Sequence, residues 1–105
     1  MEMMIKKIVL KKGLKDELLN SLLKLNDTMR LASGFISAIL LDSKVDKNSI
    51  YLFSMWMDND SLLAFEKTFN NKKISFESYC ESISSEPLDV LLSITTEGDF
   101  KPVVN

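Results

Sequence analysis

The spacing of hydrophobic positions changes several times along this chain, and each change marks an element. Residues 4–11, MIKKIVLK, read as a strand closed by Gly13. From Leu14 the period lengthens. Leu14, Leu18, Leu22, Leu25 and Met29 form one helical stripe, widened by Leu19 and Leu23, with Lys15, Asp16, Asn20, Lys24 and Asp27 on the opposite face. Gly34, in ASGF, stops that helix as a left-handed C-terminal cap. Residues 35–42, FISAILLD, predict a second strand that is apolar on both faces: Phe35, Ile39 and Leu41 on one, Ile36, Ala38 and Leu40 on the other. A polar connection, SKVDKN, leads to a third strand, SIYLFSMWM, paired antiparallel with the second. It is also two-faced, with Tyr51, Phe53, Met55 and Met57 opposed to Ile50, Leu52 and Trp56.

Asp58, Asn59 and Asp60 offer N-caps for a helix whose apolar face is Leu62, Leu63, Phe65 and Phe69, and NNKK interrupts it. Phe76, Tyr79, Cys80 and Ile83 stand at i, i+3, i+4 and i+7, which predicts a short helix over 75–84 ended by Pro87. Residues 88–96 predict the last strand, and Gly98 and Pro102 mark a tail over 98–105, leaving 1–97 as one domain. The order β-α-β-β-α-α-β is that of a ferredoxin-like α+β fold, a four-stranded antiparallel sheet with helices on one face. Helices cover one side of the two-faced strands. The other side needs a cover from outside the chain, and a second copy, joined through the open sheet face as a homodimer, is the expected one. The tail, with Phe100, Val103 and Val104, is expected to reach toward that partner.

Composition narrows the chemistry. A net charge of −2 over 105 residues gives no basic excess to neutralise phosphates, so no nucleic-acid partner is expected. The lysine pairs Lys6-Lys7, Lys11-Lys12 and Lys72-Lys73 read as solvated edges or turns. The first residues hold no apolar run long enough for a signal peptide or a membrane span, and Cys80, the single cysteine, forms no internal disulfide; the expectation is cytoplasmic, with no membrane partner. Histidine is absent altogether. That excludes Ser-His-Asp and Cys-His catalysis, His-bearing zinc sites and histidine-ligated heme within this chain. Read as a calcium loop from Asp58, the positions for the central glycine and closing glutamate hold Leu63 and Phe69, so no metal is expected there. Glu77 and Glu81, four apart, read as a solvated helix face.

The run IKKIVLKKGLKDELLNSLLKL, then GFISAILLDS, then IYLFSMWMDNDSLLAFEKT resembles the antibiotic biosynthesis monooxygenase domain of the dimeric α/β-barrel superfamily. The resemblance rests on the leucine-rich helix, Gly34-Phe35 opening the second strand, and Trp56-Met57-Asp58 closing the third, and it covers about residues 4–96. It implies oxidation of a small aromatic or quinol-type molecule by O₂, in many members without metal or flavin, so no cofactor is expected. A heme-degrading branch of that family uses an Asn on the first strand, a Trp on the second long helix and a His after it. Those positions fall near Lys6, Phe65 and Ser75, and none matches.

Within this frame Tyr79 and Trp56 are the candidate catalytic residues. The Tyr79 hydroxyl needs a polar partner if buried, which suits it to touch a substrate oxygen, and Trp56 offers a ring for stacking. Phe65, Phe69, Phe76 and Cys80 are candidates for an apolar pocket wall, with Asn26 and Arg30 near its mouth. The plainer alternative for the rings and the thiol is core packing, and for Arg30 a cation favoured at a helix C-terminus. Three functions compete: a cofactor-independent monooxygenase, a non-catalytic dimeric module binding a small ligand or a protein, and, last, heme degradation.

Overall fold

The computed structural model describes residues 1–72 and 74–100. The elements are β1 (Glu2–Leu10), α1 (Lys15–Leu23), α2 (Asn26–Arg30), β2 (Phe35–Asp42), β3 (Ser49–Trp56), α3 (Asn59–Lys72), α4 (Ile74–Glu77), β4 (Cys80–Asp89), β5 (Ser93–Thr95) and β6 (Gly98–Phe100). Four strands form one sheet in the order β2-β3-β1-β4, every neighbour antiparallel, and β5 and β6 form a separate hairpin. With the helices on one side of the sheet, this is the ferredoxin-like α+β fold that the hydrophobic pattern predicts. Val103 and Val104 lie outside the described residues, as does the side chain of Phe100.

Alternation along the strands sets the two faces. Met4, Lys6, Ile8 and Leu10 of β1 are buried under the helices, as are Ile50, Leu52, Ser54 and Trp56 of β3. The register puts Met3 opposite Met55, and Ile5 and Ile39 on either side of Phe53, so these residues lie on the open face. A bulge between Phe35 and Ser37 shifts β2 by one position. Phe35 therefore meets Trp56 on the helix side and does not share a face with Ile39 and Leu41, contrary to the simple alternation.

The single first helix expected from the leucine stripe is two. The Leu25 N–H donates to the Leu22 carbonyl at 2.9 Å, a tightened turn that separates α1 from α2. The stripe survives the break, because Leu18, Leu22, Leu25 and Met29 are all buried. α3 continues through Asn70 and Asn71 and ends at Lys72, inside the NNKK run, whose last residue lies outside the described ones.

The largest departure comes after residue 74. The helix expected over 75–84 is a single turn, α4, followed by strand β4 from Cys80, so the last strand of the sheet begins eight residues earlier than its predicted start at 88. Pro87 does not stop a helix. It sits in β4 opposite Met4, on an edge strand, where its missing N–H removes no bond to a further strand. Glu77 and Glu81 then belong to different elements and share no helix face.

Candidate functional site

The helix face of the sheet divides into a filled half and a half with room. Under α3 the aromatic side chains form a continuous column. Trp56 meets Phe35 edge-on at 5.2 Å and stacks on Phe65 at 4.9 Å; Phe65 lies 6.3 Å from Phe69, and Phe69 stacks on Phe76 at 5.8 Å. Trp56, Phe65, Phe69 and Phe76 are all buried core residues. The Trp56 indole N–H donates to the Ser54 hydroxyl at 3.0 Å, which satisfies its polar atom inside the core.

Beside this column stands Lys6, where the charge pattern predicts a solvated edge or turn. Lys6 is 1% exposed. Its ammonium donates to Glu66 Oε1 at 2.7 Å and to the Ser85 hydroxyl at 2.8 Å, and lies 4.2 Å from the centre of the Phe69 ring. Glu66 Oε2 is buried and has no hydrogen-bond partner among the described residues. The signal was present in the alternation: Lys6 shares a strand face with Met4, Ile8 and Leu10.

Under α1 and α2 there is space. A cavity of about 340 Å³ lies between these helices and strands β2 and β3, with Leu22, Leu25, Met29 and Leu52 deep in it and Leu23, Leu40 and Asn26 toward solvent. Asn26 is the single polar residue of that lining. It opens α2 just after the cap position, Leu25, and is exposed to solvent. The amide is therefore available at the cavity mouth, and it can donate to or accept from a ligand oxygen.

Of the residues singled out from sequence, Asn26 alone lines this cavity. Trp56, Phe65, Phe69 and Phe76 come together as the core column, and Phe65 also borders a shallow groove between α2 and α3 with Thr28 and Thr68. Arg30 is exposed in the last turn of α2. Cys80 is buried where β4 begins, opposite Leu10. Tyr79 is half-buried just before it, its backbone N–H donating to the Phe76 carbonyl and its carbonyl accepting from Lys11 N–H. Trp56 pairs with Glu2 and Cys80 with Leu10, so Tyr79 and Trp56 stand near opposite ends of β1. Eight strand residues span about 26 Å, too far for both to touch one small molecule.

At the sheet end near Trp56, Glu2 and Asp89 face each other across β1 and β4. Their side-chain hydrogen bond raises the Glu2 carboxyl above the ordinary carboxylate range, helped by some burial and by the Asp89 charge. Among the described residues no group of three or more Cys, Asp and Glu side chains converges as a metal site. No helix among them is long and apolar enough to cross a membrane.

The fold and the cavity together define a ferredoxin-like α+β domain with space of small-molecule size between its sheet and its first helices. A family model for antibiotic biosynthesis monooxygenases matches residues 1–74, and the chain belongs to that family. Among solved structures it is similar to Rv0793 from Mycobacterium tuberculosis, at 15% identity and TM-score 0.77 over 90% of this chain and 98% of that one. A second similar structure is SnoaB, a cofactor-independent oxygenase from Streptomyces nogalater, at 13% identity and TM-score 0.73 over 85% and 91%. A third is PA3566 from Pseudomonas aeruginosa, at 21% identity and TM-score 0.73 over 86% and 93%. A comparison with curated proteins yields no match.

Proposed function

We propose that this protein is a homodimeric, cofactor-independent oxygenase of a small phenol- or quinol-type molecule, bound in the cavity between α1–α2 and β2–β3. The observation that carries the reading is the pairing of an apolar chamber with one uncommitted amide at its mouth, in a chain of the monooxygenase family. An ionised phenol delocalises charge onto its ring, and the Asn26 N–H stabilises the oxygen that keeps the remainder. The ring carbon gives an electron pair to O₂ and forms a C–O bond; the peroxide takes up a proton. Loss of a second proton from that carbon breaks the O–O bond, leaving a carbonyl and expelling water. The phenol O–H, one ring C–H and one O₂ become two C=O groups and one H₂O, so no outside reductant is needed. The protein contributes orientation and stabilisation of the anion.

No lining side chain of the cavity titrates near neutral pH. Deprotonation then falls to solvent at the mouth, and the rate is expected to rise with pH through the substrate's own pKa. The test is O₂ uptake over a panel of quinols and phenols. Uptake that falls about tenfold or more in Asn26→Ala supports the reading. No uptake by the parent across the panel overturns it.

The missing base also favours a second reading, a non-catalytic binding module of the same fold. Ligand-dependent thermal stabilisation without O₂ uptake is its signature. Heme degradation finds no support here: Lys6 is held in an ion pair, Phe65 is core, and the chain has no histidine.

A further inference from the structure

We propose that the cavity takes the aliphatic chain of an alkyl-substituted phenol or quinol and leaves the ring at the mouth beside Asn26. This rests on reading the cavity as the substrate site, and it names the part of the substrate that the cavity selects.

Three features of the wall point to an alkyl chain. First, the wall is aliphatic throughout, with six leucines, one methionine, one alanine and Asn26. Flat ring systems are gripped best by other rings. Trp56, Phe65, Phe69 and Phe76 are already stacked on one another under α3, while the register puts Tyr51 and Phe53 on the other side of the sheet from Leu52. Second, polarity runs in one direction. Leu25 (3% exposed) and Leu52 (7%) form the depth, whereas Leu23 (68%) and Leu40 (39%) stand at the mouth with Asn26. A ligand matched to that gradient is apolar at its inner end and carries its oxygen at the outer end. Third, no charge lines the cavity, so an ionic head has no partner inside and stays at the rim. The reacting ring then sits where O₂ and hydroxide reach it.

The probe is a series of 4-alkylphenols, from methyl to nonyl, titrated calorimetrically against the full chain. In the parent, Kd is expected to fall about fourfold per added methylene until the cavity is filled, then level off. Asn26→Ala is expected to raise Kd by one constant factor, about tenfold, for every member. Leu40→Trp, which blocks the mouth from the edge strand, is expected to flatten the series. Leu23→Trp, at a more exposed position on α1, should do the same without touching the sheet; far-UV circular dichroism confirms the fold of each. A parent series with no dependence on chain length overturns the inference, as does one left unchanged in both tryptophan variants. O₂ uptake separates the two readings. A chain-length series without turnover sinks the oxygenase and keeps the alkyl site. Turnover of quinols by the parent, beside a Kd series that does not depend on chain length, does the reverse.

Discussion

Lys6 holds its place in the interior because polar and aromatic groups replace its water, among them a carboxylate, a hydroxyl and the face of a phenyl ring. Removing one member strands another. Lys6→Met is expected to destabilise the fold by about 3 kcal/mol, the lower end for a broken buried pair, because the Glu66 side chain keeps 19% exposure. The double variant Lys6→Met/Glu66→Met is expected to regain most of that in urea unfolding, and failure to regain it would deny that the loss comes from an abandoned charge. Asp58 acts in a plainer way. Its Oδ1 accepts the Ser61 N–H at 2.8 Å at the start of α3, and that bond, followed by the Ser61 hydroxyl, lowers its carboxyl below the ordinary aspartate range. A carboxyl lowered on folding adds stability above its unfolded pKa, and the gain is lost as pH falls through the folded value. Asp58→Ala is therefore expected to melt at a lower temperature than the parent at pH 7, with the gap closing at pH 2. At this scale the cap was legible, since DND announces it. Lys6 was obscured because Lys7 beside it is exposed and the pair reads as one polar step.

Elements were legible where one period dominates. β2 is found at its predicted bounds of 35–42, β3 lies within one residue of its own, and the α1–α2 stripe buries Leu18, Leu22, Leu25 and Met29, while Leu14 and Leu19 are half-buried and Leu23 is exposed. The last third misled for a physical reason. β4 is an edge strand exposed along most of its length, so CESISSEPLD carries almost no apolar alternation of its own. Phe76, Tyr79, Cys80 and Ile83 fit a helical spacing by coincidence, because the first is in a one-turn helix and the last two pack from a strand. Gly34 does take the left-handed conformation expected of it, but in the turn into β2 and not as the helix cap, because α2 closes at Leu31 in right-handed geometry. The Gly34 φ is +75°, and a Cβ there would overlap the Ser61 side chain at the start of α3. Gly34→Ala is expected to cost about 2 kcal/mol or more in chemical denaturation. Trimming Ser61 to alanine as well should restore only part of it, since the backbone strain remains.

For the molecule as a whole, the sheet face away from the helices carries Met3, Ile5, Ile39, Leu41, Phe53 and Met55 in adjacent rows. We propose that a second copy covers it, which gives a particle of twice the 11.9 kDa chain mass in sedimentation. Phe53→Glu, at the centre of that face, is expected to shift the particle to the single-chain mass while the circular dichroism of the fold persists. A parent that sediments as one chain at micromolar concentration sinks the proposal. The candidate site was the least legible feature of all. Asn26 could be named from sequence, but the cavity beside it follows from how far α1 and α2 stand from β2, a distance that no spacing of leucines encodes. The order of strands has a consequence of its own. The first strand of the chain is an inner one, held between residues 49–56 and 80–89. During synthesis it must wait, unpaired on one edge or both, until residue 89 has left the ribosome. Folding of the sheet is therefore a late event, completed only once residues 80–89 have emerged rather than built up from the N-terminus.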